Sequence, residues 1–225
     1  ESQKLAFEKT LLGFYVSGHP LARFEKAIRA LATATSQQLL HLSEGTLVTI
    51  GGMLTKIKLT TTKKRNEQMA VCVLEDLEGD VEVLVFPNNF SQLAPQLKPN
   101  AVVFIDARLA IREDRPRLIA QQIIPIEQGA SKLAQALALH LRQPVDTALL
   151  EQLKALLVRF PGTVPVHIRL DIPEQESLQL KLSEGFKVDP RQDLLDALDQ
   201  LLGAEAIAFK RQARQTDRPP AYSPV

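Results

Sequence analysis

The chain has 225 residues, of which 45% are hydrophobic and 24% are charged, a composition that suits two small domains better than one large one. Its net charge is only +1, so binding to nucleic acid would require a local basic patch. The one cysteine, Cys72, excludes a disulfide framework and argues against a thiolate metal site. Without an export signal or a long apolar segment, we expect a cytoplasmic protein with no membrane contact, and the first residue, Glu1, indicates a segment of a longer chain.

Residues 1–42 predict a helical segment that is interrupted once. After the interruption, apolar residues recur with helical spacing at Leu21, Phe24, Ile28 and Leu31. The interruption is the sequence SGHP, in which Gly18 permits a positive φ and Pro20 suits the first turn of the next helix. No cysteine, serine or carboxylate stands at a recognisable partner spacing from His19. We therefore expect this histidine to pack or cap at a joint between helices.

Residues 43–127 change to an alternation with period two and predict an OB-fold barrel. Five strands rich in valine and isoleucine occur in the order β-β-β-α-β-β, and the long first strand contains two adjacent glycines. Asn88 or Asn89 is expected to cap the short helix, and Gly79 to form a tight hairpin between strands two and three. This order is the plan of an OB-fold, a five-stranded barrel that binds oligonucleotides.

The fourth strand is predicted to have one apolar and one polar face. Its alternation places on the interior face Val103, Ile105, Ala107, Leu109 and Ile111. The other face would carry Phe104, Asp106, Arg108 and Arg112. Two arginines would then share a polar face.

Nucleic acid binds OB-folds on strands two and three and on the loops that join strands one to two and four to five. The candidate DNA-binding residues are the cations in and beside these loops: Lys56, Lys58, Lys63, Lys64, Arg65, Arg108, Arg112, Arg115 and Arg117. Strands two and three lack aromatic residues for base stacking, and Phe86 is the only candidate nearby. The pattern therefore favours contact with phosphates over recognition of bases. The alternative is that the lysines form a solvated hairpin tip.

Residues 128–211 predict a second α+β domain, and residues 212–225 a flexible tail. The predicted elements follow the order βαββαβ, which is compatible with a ferredoxin-like sandwich. Asp146 should cap the first helix, and the second should end at Gly203. Residues 127–132 contain few apolar side chains and are expected to connect the two domains.

No catalytic constellation emerges from the sequence. The 4 histidines are scattered, and no phosphate-binding glycine-rich motif occurs. Asp76, Glu78 and Asp80 cluster beside Gly79, an arrangement more typical of a charged hairpin tip than of a metal site. We therefore predict no catalytic residue, no metal site and no cofactor in this sequence.

Four stretches together carry a resemblance to a known family. They are EKTLLGFYVSGHPL, LEDLEGDVEVLVF, TVPVHIRL and EGFKVDP. In this order, around an OB-fold, they resemble the C-terminal region of the bacterial replicative polymerase, the DNA polymerase III alpha subunit. The second stretch alone also resembles the anticodon-binding OB domains of class II aminoacyl-tRNA synthetases.

The resemblance implies a non-catalytic role for this chain. The SGHP stretch would be a joint, and the catalytic carboxylates of the parent DNA-directed DNA polymerase would lie upstream. The OB-fold would contact single-stranded template DNA, and the last domain would bind the tau subunit of the clamp loader, alongside other replisome subunits. A glutamine that begins a weak clamp-binding peptide in some members is replaced by Glu205, which puts clamp binding in doubt.

The last strand leads into a basic, proline-containing tail that could order on a partner. The candidate partner-binding residues are Phe209, Lys210, Arg211 and Tyr222. Two alternatives to the replicase role stay open: a tRNA-binding OB module and a purely protein-binding scaffold.

Overall fold

The structure, a computed structural model, describes residues 21–62, 65–141, 145–171, 177–203 and 205–211. The chain forms two compact units, which divide between Ile126 and Glu127. The first contains a closed five-stranded barrel, and the second contains a four-stranded sheet with helices. The predicted α+β class and the OB-fold barrel are therefore confirmed. The SGHP joint with His19 lies outside the described residues.

Short helical elements lead into the barrel. A 3₁₀ turn spans Ala22–Phe24, helix α1 spans Glu25–Leu31, and a second 3₁₀ turn spans Gln38–His41. The predicted apolar stripe is buried, with exposures of 0% for Leu21, 9% for Phe24, 5% for Ile28 and 0% for Leu31. The helical spacing of these residues therefore predicted the buried face of α1 correctly.

The barrel closes in the order β1-β2-β3-β5-β4. Its strands are β1 (Leu47–Thr61), β2 (Gln68–Glu75), β3 (Asp80–Val85), β4 (Val102–Arg112) and β5 (Arg115–Pro125). Helix α2 (Pro87–Leu93) and a 3₁₀ turn (Ala94–Gln96) lie between β3 and β4. The strand β3 pairs in parallel with β5, and all other pairs are antiparallel. Alternate aliphatic side chains fill the interior, as the period-two pattern predicts.

Two adjacent glycines in β1 allow close approaches on the barrel wall. A Cβ on Gly51 would lie 2.9 Å from a ring carbon of Phe104 and 3.1 Å from the side chain of Ile28, so this glycine makes room for α1. A Cβ on Gly52 would lie 2.5 Å from the backbone oxygen of Glu75 on β2. A side chain at Gly52 would collide with fixed backbone, so this position requires glycine, whereas a side chain at Gly51 would have to displace the Phe104 ring.

The predicted polar face of β4 is only partly correct. Phe104 and Asp106 are buried, with exposures of 0% and 2%. Phe104 lies next to Gly51 and to Ile28 of α1, and Thr49 donates a hydrogen bond to the Asp106 carboxylate at 2.6 Å. Ile111, which the alternation places inside, is 44% exposed. Alternation along one strand cannot show which outer positions a neighbouring helix covers.

The predicted asparagine cap of α2 is wrong. The helix begins at Pro87, whose fixed φ suits the first position, and Phe86 is the N-cap without a side-chain hydrogen bond. The side-chain amide of Asn89 instead donates to the carbonyl oxygen of Ala120 on β5 at 3.1 Å. The helix is therefore attached to the barrel by the asparagine that was expected to cap it.

The second unit is a mixed sheet with helices. Its elements are α3 (Ile126–Leu133), β6 (Ala134–Leu141), α4 (Thr147–Arg159), β7 (Pro161–Val164), β8 (Val166–Leu170), β9 (Leu178–Lys181), a 3₁₀ turn (Glu184–Phe186), α5 (Gln192–Leu202) and β10 (Ile207–Arg211). Helix α3 begins at the boundary between the units. As predicted, the Asp146 carboxylate caps α4, and α5 ends at Gly203, whose φ is 90°. Leucines of α4 and α5 pack against one face of the sheet.

The strand order differs from the ferredoxin-like arrangement that we predicted. The sheet order is β10-β6-β8-β9, and β6 lies directly beside β8 in parallel. A ferredoxin-like split βαβ unit has another strand between these two. After α4 the chain first forms β7, which bridges to Val188, and only then turns at Pro165 into β8. The order of elements along the chain did not contain this information, because strand neighbours are set by packing.

The connection between the predicted domains is also more structured than expected. Residues 127–132 belong to α3, and Ala130 and Leu133 of this helix are 5% and 8% exposed.

Among the described residues, no helix is both long enough and apolar enough to cross a bilayer.

Candidate nucleic-acid interface

The outer surface of the barrel carries two cross-strand rows, which we call the barrel face. Residues that are paired on neighbouring strands point to the same side of the sheet. The pairing registers define one row as Lys58, Val71, Leu84, Ile119 and Arg108. They define the other as Lys56, Val73, Glu82, Arg117 and Ala110. The barrel face therefore crosses all the strands of the closed sheet.

The centre of the barrel face is aliphatic. Val71 and Val73 on β2, Leu84 on β3 and Ile119 on β5 are each partly exposed, whereas their neighbours along the strands are buried. These residues were not predicted to face outward, because β2 is a continuous apolar run. The apolar run was itself a signal. In a strand with one solvent-facing side, apolar residues normally alternate with polar ones, so a continuous run indicates an apolar outer surface or a covered one.

Cations border this aliphatic centre on two sides. Lys56 and Lys58 lie exposed on β1, and Arg108 lies exposed on β4. Lys58 and Arg108 stand at the two ends of the first row. Within the part of the chain that the structure describes, these three residues make no ion pair. Arg117, by contrast, contacts the Glu82 carboxylate at 3.0 Å.

The connection between β1 and β2 contributes one described cation, Arg65, which is exposed. Its neighbours Lys63 and Lys64 lie outside the described residues. The loop is closed by a backbone hydrogen bond from Thr62 to Glu67 at 2.9 Å, and Asn66 has a positive φ of 52°. Asparagine tolerates this conformation better than most residues, which suits the turn.

The connection between β4 and β5 is a two-residue turn. Its central residues, Glu113 and Asp114, have positive φ values of 53° and 57°, which is the geometry of a type I′ hairpin. The flanking residues Arg112 and Arg115 pair across the strands, so the turn places both arginines at one end of the barrel. Arg112 also lies 3.8 Å from Glu113, with both side chains largely exposed.

A groove of about 440 Å³ lies beside the second row of the barrel face. It is lined by Val73 and by Arg115, Pro116 and Arg117 at the start of β5. Leu40 from the second 3₁₀ turn forms another wall and is 63% exposed. The groove therefore extends the apolar centre of the barrel face and carries arginines at its edge.

The acidic cluster at the β2–β3 hairpin has a structural role. Asp76 is only 5% exposed, and its carboxylate accepts hydrogen bonds from the backbone N–H groups of Ser36, Glu78 and Gly79 and from the Ser36 hydroxyl. The cluster lies on the predicted hairpin between β2 and β3, but Asp76 is buried and is not part of an exposed tip. A search of the described ranges finds no group of histidine, cysteine, aspartate and glutamate able to hold a metal.

Cys72 is buried inside the barrel, and burial raises the pKa of its thiol to about 11. At neutral pH the group is therefore a protonated, apolar core side chain. It is not available as a nucleophile.

The predicted partner-binding residues do not share one surface. Phe209 is partly buried and packs against the helix-side core of the second unit. Lys210 is exposed on the opposite face of β10. Arg211 ends the strand opposite Ala134, and Tyr222 lies outside the described residues.

Comparison with known proteins identifies relatives for nearly the whole chain. A family model described as an OB-fold nucleic acid binding domain matches residues 48–126. The chain is 32% identical over 208 residues to DNA polymerase III subunit alpha of Mycobacterium tuberculosis, covering 90% of this chain and 17% of that protein. It is 29% identical over 208 residues to the corresponding protein of Bacillus subtilis, covering 92% of this chain and 18% of that protein. The chain thus spans less than a fifth of the length of these relatives.

Among solved structures, the mitochondrial single-stranded DNA binding protein Rim1 of S. cerevisiae aligns with a TM-score of 0.31 and 13% identity. The alignment covers 37% of this chain and 95% of that chain. A score this low supports no inference about the present chain.

Proposed function

Because the chain is homologous to a segment of the DNA polymerase III alpha subunits, we propose that it is a non-catalytic region of a cytoplasmic replicative polymerase. In this proposal, the barrel holds single-stranded template DNA, and the second unit contacts the tau subunit of the clamp loader within the replisome. The polymerase chemistry would belong to other parts of the parent protein.

The observation that carries the DNA-binding proposal is the arrangement of the barrel face. Its aliphatic centre offers a surface for bases, and Lys56, Lys58 and Arg108 border it with charges that no described carboxylate neutralises. Such a surface suits a strand that lies across the sheet with its phosphates against the cations. Aliphatic side chains lack the stacking geometry of aromatic rings, so binding should depend mainly on phosphates and show little base preference.

Fluorescence anisotropy with a labelled dT15 oligonucleotide tests this proposal. With about four phosphate contacts and a slope of about −0.7 per contact, affinity should fall about fiftyfold between about 50 and about 200 mM salt. Replacing Lys56 and Lys58 together by alanine should weaken binding and make the slope shallower by about 1.4. Lys98→Ala is the matched control, because Lys98 is an exposed lysine of the same unit outside both rows.

Each other outcome favours a different function. An unchanged slope in the Lys56→Ala, Lys58→Ala variant would place the DNA elsewhere. Tighter binding of an rU15 oligonucleotide than of dT15 would favour the tRNA-binding alternative. Absence of saturable binding to either oligonucleotide would favour a protein-binding scaffold.

The tau contact is proposed from homology and from the basic tail that follows β10. The truncation must leave β10 intact, since Lys210 and Arg211 pair with Ala136 and Ala134 of β6. A chain that ends at Arg211 should keep its circular dichroism spectrum and its dT15 affinity but bind purified tau more weakly in calorimetry. Equal tau affinity would move the contact onto the folded unit, and no tau binding by either chain would refute this part of the proposal.

A further inference from the structure

One face of the sheet in the second unit is open. Helices α4 and α5 pack against the side chains of Leu137 and Leu139 on β6 and of Ile168 on β8. The alternate residues point to the opposite side. On that side lies a cavity, and no residue of a described helix lines it. The strand registers place one row of residues across this open face: Ala208, Ala138, His167 and Lys181.

The open face contains a cavity of about 350 Å³. Its floor includes Ala138 and Ala208, whose small side chains allow a ligand to approach the sheet closely. The lining also includes the apolar residues Leu139, Ile168 and Ala206. The polar residues around the floor are His140, His167, Arg169, Gln179, Glu205 and Lys210. The volume is at the lower end of the range for small-molecule sites.

The cations in and beside this cavity differ in whether they make ion pairs; Lys181 lies beside it, opposite His167 on β9. The Asp171 carboxylate is engaged by His140 at 2.5 Å and by Arg169 at 3.4 Å. Lys181 and Lys210, by contrast, make no ion pair with any described residue, and the Lys210 ammonium lies 3.5 Å from Nδ1 of His167. Positive charge is therefore concentrated around His167.

The electrostatics of His167 agree with this geometry. Burial lowers the pKa of His167, and the charges of Lys210 and Lys181 lower it further. The other charged or titratable groups near the cavity are His140 and Arg169 on the adjoining row, Asp171, which pairs with both, and Glu205 at the rim. Burial and the two nearby ammonium groups therefore both disfavour the imidazolium form of His167, and an anion bound beside it would oppose that effect.

We infer that this cavity binds a phosphate oxyanion between His167, Lys210 and Arg169, at a site separate from the barrel face. The Lys210 ammonium and the Arg169 guanidinium supply charged donors, and His167 supplies a third donor through its free ring nitrogen. Bound phosphate adds negative charge next to the imidazole, so it favours the protonated form of His167. Phosphate binding and protonation of His167 therefore strengthen each other.

The full chain titrated with inorganic phosphate and followed by NMR tests the inference. Phosphate should shift the His167 ring signals and the amide signals of β6, β8 and β10, and it should move the His167 titration to higher pH. Lys210→Ala should weaken phosphate binding about tenfold, the loss expected for one charge-assisted hydrogen bond. Lys154→Ala is the matched control, because Lys154 is an exposed lysine on α4 in the same unit.

A second arm identifies the source of the phosphate. A dT10 oligonucleotide without terminal phosphate offers only phosphodiesters, so shifts of His167 by dT10 would identify a nucleic-acid backbone as the ligand. Shifts by inorganic phosphate alone would identify a free or terminal phosphate. The inference is overturned if neither probe shifts His167, or if Lys210→Ala and Lys154→Ala reduce phosphate affinity equally.

Discussion

Asp76→Ala should destabilise the barrel strongly, although Asp76 belongs to a surface hairpin. The carboxylate holds two segments together, because it binds the backbone and hydroxyl of Ser36 at 2.6 and 2.8 Å and also the hairpin N–H groups of Glu78 and Gly79, each at 2.8 Å. Alanine would leave these donors without a partner in a site that is largely closed to water. Each unsatisfied buried donor costs about 1–3 kcal/mol, and water can reach the outer donors. We therefore expect the free energy of unfolding to fall by about 3–4 kcal/mol.

The chain contains no tryptophan, so intrinsic tryptophan fluorescence cannot report on unfolding. NMR signals of β5 in a urea series are therefore the suitable probe of barrel unfolding. With a urea dependence of about 2 kcal/mol per molar, Asp76→Ala should lower the midpoint by about 2 M. Asp76→Asn should have a smaller effect, because its amide oxygen can still accept the bonds made to Oδ1 while its amide nitrogen faces the Ser36 N–H. Asp80→Ala, at an exposed carboxylate of the same hairpin, should change stability by less than about 0.5 kcal/mol. Equal midpoints for Asp76→Ala and Asp80→Ala would refute the reasoning.

Three further predictions concern the turn, the barrel wall and acid stability. Replacing Glu113 by Asn and Asp114 by Gly should stabilise the barrel by about 1 kcal/mol, since both positions have positive φ, and should tighten dT15 binding by removing two negative charges; weaker binding would contradict it. Gly52→Ala should destabilise the barrel by at least about 1–3 kcal/mol in the same urea assay, because the added Cβ would meet backbone 2.5 Å away. Burial opposes ionisation of Asp189, but hydrogen bonds from Ser131 and a neighbouring guanidinium lower its pKa below 3.8 overall. The second unit should therefore lose stability as the pH falls through and below that value, and Ser131→Ala should make the loss smaller in urea unfolding at about pH 5 and about pH 3.

Local patterns predicted the features that depend on neighbouring residues. Alternation located the barrel strands, helical spacing located the stripe that includes Ile28 and Leu31, and the turn at Gly79 has the predicted place between β2 and β3. The resemblance to DNA polymerase III alpha subunits, which rests on motifs spread along the chain, is confirmed by relatives that match 90% or more of it.

Features that depend on distant packing were not predictable in the same way. The burial of Phe104 depends on where α1 lies, and the pairing of β6 with β8 depends on the path taken after α4. The cations of the barrel face were predictable but its aliphatic centre was not, because Val71 and Val73 resemble core residues until the strand registers show which side of the sheet they occupy.

The most direct test of the proposed function is an NMR titration of the methyl-labelled chain with dT10, since methyl groups report on the aliphatic centre itself. The barrel face predicts that the methyl signals of Val71, Val73, Leu84 and Ile119 shift together along one saturable curve, while those of interior residues such as Val83 and Leu118 move little. Saturable DNA binding that leaves these four methyl sets unchanged would contradict the account.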